Sequence, residues 1–320
     1  MNLKNQLNDY VLIIGSSNMD LNIYLDRLPK PGETVTGGTF KQSLGGKGAN
    51  QAVASVRAGA KTMFIGKIGK DAFGDQMIFN LLKEGIETSC VIIDSKNPSG
   101  VAFIVIDSNG ENMISVAPGA NAKLAPEEIR SNSDIIKNAK VIVVQMELPM
   151  ETIEEIYAIA SKGNVIKILN PAPLKPISTE LLKKIDIIIP NEGELYRLYE
   201  LLEKKPTINV GKDGIIEISK KLYDLGVKTI ITTLGSKGCV IYEGANDEVT
   251  ETPAFKVKAV DTVGAGDCFN GVLACKLCKG NSIKNAVKYA TVAASIKVTR
   301  KGAQEGIPFQ NEIEDKYKKM

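Results

Sequence analysis

The sequence points to an α/β protein with a mostly parallel central sheet, helices on both faces and a small inserted antiparallel sheet. Three observations lead there. Short, continuously apolar runs at 141–144, 165–169, 185–189 and 229–233 lack the alternation of a strand with one wet face, so they read as strands covered on both sides. Helical segments at 150–161, 192–202 and 214–225 alternate with those runs, which is the rhythm of a parallel sheet between helical layers. The stretches 21–28 and 34–41 instead alternate with period two, as strands do when one face meets water.

In chain order, the apolar run 10–14 ends at Gly15 and reads as a buried strand closed by a turn. The breaker Pro29-Lys30-Pro31-Gly32 separates the two alternating stretches. Further strand-like runs follow at 91–93, 101–106 and 112–116, the last two joined through Asp107-Ser108-Asn109-Gly110, whose Asn-Gly pair signals a hairpin. Segments of about 19–42 and 91–117 are therefore expected to build the small sheet as an insertion into one α/β domain spanning 1–320. Residues 51–58 and 268–277 read as helices, each behind a glycine cluster. Beyond residue 264 the pattern is mostly helical, with small residues throughout 286–296, while 1–9 and 310–320 read as polar tails.

Composition removes several kinds of chemistry. Forty basic against thirty-seven acidic residues leave a net charge of +3, too small and too dispersed for a nucleic-acid binder. No apolar run reaches the roughly 18 residues a membrane span needs, and the N-terminal stretch is not that of a signal peptide, so a cytoplasmic protein is expected. There is no histidine, which eliminates Ser-His-Asp and Cys-His nucleophiles and His-ligated metals. Five cysteines without a framework spacing are expected to be reduced. Cys275 and Cys278 lie three apart on one face of an apolar helix, and no second pair exists to complete a zinc site, so they read as core.

Neither a P-loop nor a G-x-G-x-x-G fingerprint is present. Two glycine clusters remain, Gly45-Gly46-Lys47-Gly48-Ala49-Asn50 and Gly264-Ala265-Gly266-Asp267. In the second, small residues let consecutive N–H groups face one point, and the following helix adds its positive end, a cup suited to a transferring phosphoryl group. Asp267 at its lip is either an N-cap or a general base, and the lack of histidine raises the value of a carboxylate there. Lys47 and Asn50 of the first cluster, with Asn18 and Asp20 past the first strand, suit a polyhydroxylated ligand or ordinary Asx turns. Glu147, Asn191 and Glu194 also follow strands; Asn-x-x-Glu suits hydrated magnesium or a plain helix start.

These residues resemble the ribokinase-like (PfkB) family of carbohydrate kinases over about 10–310. The carriers are GSSNMD, PGETVTG, GGKGANQAVA, LNPAP, PNEGE, TTLGSKG, DTVGAGDCFNG and VTRKGAQ. The resemblance implies the family's three-layer αβα fold with a β lid, and ATP-dependent phosphorylation of D-ribose at its 5-hydroxyl, the first step of ribose breakdown. It implies Asp267 as the base, Gly264, Ala265 and Gly266 as the anion hole, and Asn18, Asp20, Gly46, Lys47, Gly48, Ala49, Asn50 and Glu147 around the sugar. ATP would meet Asn191, Thr233, Leu234, Gly235, Ser236, Lys237, Gly238, Gly266, Asp267 and Thr291, with Glu194 acting on Mg²⁺ through water. A potassium ion would use Asp261 and the carbonyls of Val263, Lys297, Arg300 and Gly302, with Gly306 nearby. The lid would pair with that of a second subunit in a homodimer.

Two departures stand out. The stretch 195–211 is Lys/Glu-rich and long for the family, and Cys268 beside the proposed base is either a thiol activated by the helix end or a small packed side chain. The alternatives to ribose are deoxyribose, a ketose or a nucleoside on the same fold. A different kind of alternative is a sugar-responsive regulator without catalysis.

Overall fold

The computed structural model describes residues 9–206 and 210–319; the remainder of the expected N-terminal tail, and 207–209 of the Lys/Glu-rich stretch, lie outside the described residues. Strand β1 (Val11–Ile14) is fully buried, as its unbroken apolar run requires. Next come β2 (Asn18–Tyr24), β3 (Thr39–Gly45), helix α1 (Lys47–Arg57), β4 (Thr62–Ile65), β5 (Lys67–Gly69) and α2 (Ala72–Lys83). They are followed by β6 (Ile92–Asp94), β7 (Gly100–Ile106), β8 (Asn112–Ala117) and the short helices α3 (Pro126–Arg130) and α4 (Ser133–Asn138). The α/β alternation then runs β9 (Val141–Gln145), α5 (Met150–Ala160), β10 (Ile166–Asn170), α6 (Thr179–Leu182), β11 (Ile187–Ile188), α7 (Glu192–Glu203), α8 (Gly211–Asp224) and β12 (Thr229–Thr233). An antiparallel pair, β13 (Cys239–Glu243) and β14 (Glu248–Thr252), precedes helices α9 (Ala265–Cys278), α10 (Ile283–Lys297) and α11 (Gln310–Tyr317).

The main sheet has eight strands in the order β14-β13-β12-β11-β10-β9-β1-β4. Pairing is parallel from β4 to β12 and antiparallel from β12 to β14. Alternation along each strand divides the core in two. Val11 and Ile13 face a cluster with α1, α9 and α10, whereas Leu12 and Ile14 face one with α5, α7 and α8. Helix, sheet and helix thus form the three expected layers. Helix α9 is buried from Asp267 to Cys278, so its apolar residues have no wet side. All five cysteines are free and buried. Cys275 donates to the Ala58 carbonyl at 3.2 Å, the core role expected of the C-x-x-C pair.

A separate four-stranded sheet, β3-β2-β7-β8, stands beside the main one. Its outer pairings are antiparallel, including the β7–β8 hairpin, and the central β2–β7 pairing is parallel. Several boundaries differ from the sequence reading. The first alternating stretches slide to Asn18–Tyr24 and Thr39–Gly45, because the loop around Pro29–Gly32 takes up Leu25 through Gly38 and is tied by an Arg27–Glu33 ion pair. The run at 91–93 is found as Ile92–Asp94 and leaves the lid sheet to pair in parallel with β5. The C-terminal segment is not a tail: α11 docks through buried Ile313, and Tyr317 stacks on Tyr289 with centroids 3.9 Å apart.

Candidate active site

The carboxyl ends of β1, β9, β10, β11 and β12 point toward the start of α9, and the residues the sequence singles out gather there. Helix α9 begins at Ala265, with Gly264 at φ 74° as its N-cap. Asp267 is therefore not the cap; it lies within the first helical turn, freed from capping. Its Oδ2 accepts from Asn50 Nδ2 and its Oδ1 from Gln51 Nε2, both at 2.9 Å. Asp267 as a whole is 7% exposed and lines a cleft.

Those amides belong to a longer relay. Gln304 donates to Asn50 at 3.1 Å and Asn80 to Gln304 at 2.9 Å. On the other side Gln51 also donates to Asn170 at 3.2 Å and accepts from Gln145 at 2.6 Å. Each buried amide is oriented by the next, which holds Asp267 in one position. Gln51, Gln145, Asn170 and Gln304 were missed as site residues. Three of them lie within the quoted motifs GGKGANQAVA, LNPAP and VTRKGAQ, but an amide at a strand end reads equally well as turn chemistry.

A cleft of about 150 Å³ opens against this helix start, lined by Lys47, Asn191, Glu194, Thr233, Asn270 and Gly264 to Asp267, among others. A Cβ on Gly266 would meet nothing within 4 Å, so that glycine leaves its space to the cleft. A Cβ on Gly46 or Gly48 would lie 2.7 Å from the backbone of residues 15–18, so these glycines let α1 approach the end of β1. Ala49 likewise turns its side chain into the core, and its N–H donates to the Ser16 carbonyl.

Around the start of α1 lie the other expected sugar contacts. Glu147 accepts from the Ser16 hydroxyl and, at 3.2 Å, from the Lys47 N–H. Asn18 is buried and accepts from Asn121 Nδ2 at 2.8 Å, making Asn121 a further orienting residue. Burial, then the charges of Glu147, Glu305 and Asp267, push the Asp20 carboxyl up to about 7. Asp267 raises the pKa of Lys47 against the opposing effect of burial, with help from Glu147 and Glu194. Lys47 therefore stays charged.

Asn191 and Glu194 form a capping box on α7: Glu194 N–H donates to Asn191 Oδ1 at 2.8 Å and Asn191 N–H to Glu194 Oε2 at 2.9 Å. The helix-start reading is thus realised, yet both residues also line the cleft. Burial raises the Glu194 pKa, against the Asn191 N–H and Lys47. Among the described residues no cluster of three or more His, Cys, Asp or Glu could hold a metal unaided. Glu194 and Asp267 do face one cleft, and hydrated magnesium takes one or two carboxylates plus phosphate oxygens, so the donor set fits.

The nucleotide residues are dispersed. Thr233 lines the cleft, and Leu234 begins a turn through Gly235, Ser236 and Lys237 that closes with Leu234 N–H on the Gly238 carbonyl at 2.7 Å. Ser236 and Lys237 are exposed. Thr291 is buried on α10, with its hydroxyl on the Val287 carbonyl at 2.9 Å and not among the cleft-lining residues. Cys268 is fully buried, and burial pushes its thiol up to about 12, so the activated-thiol reading is set aside for the packed one.

The expected potassium site meets an obstacle. Asp261 accepts at its carboxylate from the N–H groups of Val263 and Gly302, each at 2.9 Å. The Lys297 ammonium donates to the Asp261 carbonyl at 2.9 Å, where the free ion was expected. Arg300 donates its N–H to the Lys297 carbonyl at 2.9 Å, so that carbonyl is also engaged. These residues do not fit a free ion beside Asp261.

The sequence profile of the pfkB family of carbohydrate kinases matches residues 8–310. A ribokinase of Haemophilus influenzae is 38% identical over 300 residues, covering 94% of this chain and 95% of that protein. A deoxyribokinase of Salmonella typhi is also 38% identical, over 93% of this chain and 95% of its own. An Arabidopsis thaliana ribokinase solved with ribose and ATP superposes with a TM-score of 0.88 at 32% identity, covering 97% of this chain and 98% of that one.

Proposed function

The chain belongs to the pfkB family of carbohydrate kinases, and on that premise we propose that it transfers the γ-phosphoryl group of ATP to the 5-hydroxyl of D-ribose, yielding ribose 5-phosphate and ADP. The observation that carries the reading is Asp267: a nearly buried carboxylate, relieved of capping, held by two amides at the open N-terminus of a core helix. It accepts the proton of the sugar hydroxyl as the O–P bond forms, so the nucleophile need not be ionised beforehand. The N–H groups of Gly264, Ala265 and Gly266, with the positive end of α9, stabilise charge on the moving phosphoryl oxygens. Lys47 lines the same cleft and contributes its charge to the sugar site.

Asp267, Glu147 and Glu194 act on Lys47, among the described residues the one lysine that lines the cleft, an acidic balance that an incoming triphosphate would oppose. Glu194 would hold magnesium through water, and the metal would supply the charge shielding that the triphosphate needs. Asn18, Asp20 and Asn50 offer acceptors and donors to the sugar's vicinal hydroxyls. The same reading takes the β3-β2-β7-β8 sheet as a lid that excludes water, pairs two subunits, and belongs to a cytoplasmic enzyme with reduced thiols.

Deoxyribose is the second reading, favoured by the equal identity to a deoxyribokinase. Coupled ADP release with ATP and magnesium over ribose, 2-deoxyribose, fructose and nucleosides decides between them. Preference for ribose supports the proposal. Preference for the deoxy sugar moves the substrate while keeping Asp267 in its role, and sugar binding without ADP would mean a regulator.

A further inference from the structure

Lys297, the last residue of α10, is fully buried, yet phosphoryl transfer as derived above makes no use of it. Its ammonium, besides donating to the Asp261 carbonyl, lies 3.9 Å from the Asp261 carboxylate. The side chain passes between two segments: a Cβ on Gly306 would lie 3.2 Å from Lys297 Cε and 3.3 Å from Arg300 Cβ. Asp261 in turn ties the segment leading into the anion cup to the 300–306 loop, through the Val263 and Gly302 N–H groups. Gly264, the cap of α9, sits against that same loop; a Cβ there would lie 3.3 Å from Ala303 Cα.

A carboxylate and a carbonyl directed at one largely enclosed point require a positive counter-charge. Here the chain supplies one of its own, and a free cation entering beside Asp261 would meet a like charge within a few ångströms. Arg300 does not compete for the place, because its guanidinium is paired with Glu312. Burial draws the Lys297 pKa below the usual lysine value, and the negative charges of Asp261 and of Glu305 on the same loop oppose that shift in favour of the ammonium.

We propose that Lys297 is the resident cation of this loop pair, a covalently attached replacement for a free monovalent ion, and that it makes turnover independent of potassium. It is a positioning residue: it holds Asp261, and through Asp261 the geometry of Gly264 to Gly266. The inference rests on the kinase reading above.

The test uses the full chain dialysed free of potassium. Ribose-dependent ADP release and melting temperature are measured in choline, sodium and potassium chloride at equal ionic strength. The expected result is equal turnover and equal melting temperature in all three. Lys297→Ala is expected to lose roughly 10²-fold in turnover in choline, the order that a small misplacement of the catalytic parts costs. Potassium or ammonium should restore it, because the vacated space admits an ion; Lys297→Met, which fills that space without charge, should not be rescued. A lysine needed only for packing would show no such salt-specific rescue. A potassium-specific rise in both turnover and melting temperature of the unsubstituted protein overturns the proposal, as does full turnover of Lys297→Ala in choline. If neither variant folds, the three-salt comparison of the unsubstituted protein decides. If no salt gives ribose-dependent ADP, the substrate reading fails, while the melting comparison still decides the cation.

Discussion

Asp267 has both carboxylate oxygens engaged by amide donors, and this sharpens what its replacement should do. Asp267→Asn puts an NH₂ group against one of the two donors, so it should fold at a cost of about 1–3 kcal/mol. Turnover should fall by roughly 10²-fold to 10⁴-fold, the range for a lost general base. Near-normal steady-state turnover would remove Asp267 from the mechanism. Asp20 makes a different prediction. With its carboxyl raised to about 7, it is largely neutral in the free protein below that pH and becomes a full acceptor for sugar hydroxyls above it. Sugar kcat/KM should therefore rise as pH climbs through about 7, and Asp20→Asn should abolish that step. The same sign makes Asp20 a liability to stability. The folded chain holds this proton more tightly than the unfolded one, so the contribution worsens as pH rises from the ordinary carboxylate range toward 7.

Among elements, the contact of α1 with α9 brings Asn50 and Gln51 to Asp267. Gly271 allows it: a Cβ there would collide with the Gln51 carbonyl and lie 2.6 Å from Ala54 Cβ. Gly271→Ala should cost about 1–3 kcal/mol by overpacking and lower turnover by moving the amides off the carboxylate. Calorimetry together with kinetics checks both; an unchanged melting temperature would mean the helices separate without strain. This contact also shows what was legible beforehand. The buried strands of the main sheet were readable because continuous apolar runs and helical periodicity are local signals. The start of α1 at Lys47 was not, since Gly46-Lys47-Gly48 has the composition of a turn, yet Lys47 and Gly48 are helical where the chain packs on residues 15–18. Asp267 was readable as a candidate from its glycine cup, whereas Gln51, Gln145 and Gln304 were not. An amide's partner lies as much as 254 residues away, and no local pattern records it. Lys297 was read only for its carbonyl; that its side chain turns inward follows from tertiary packing alone.

At the scale of the whole molecule, the face of the β3-β2-β7-β8 sheet that holds Asp20 runs outward into an apolar surface. Register places Asp20 beside Ala102 and Val116, and Asn22 beside Ile104 and Ile114, so all share one face. Ile114 and Val116 are 56% and 52% exposed, a costly display for an isolated chain. Sedimentation should find a dimer, and Ile114→Lys should give monomers with a raised sugar KM; a monomeric unsubstituted protein would count against the pairing of lids.

The five buried thiols have a practical outcome. Because all five are buried in the folded state, an alkylating reagent depends on the chain opening, and its uptake becomes a clock for breathing motions. Cys239 sits in the antiparallel margin of the main sheet, and Cys268 one residue past Asp267 in the buried helix α9. The order in which those two positions gain a label would reveal whether that sheet margin loosens before α9 does.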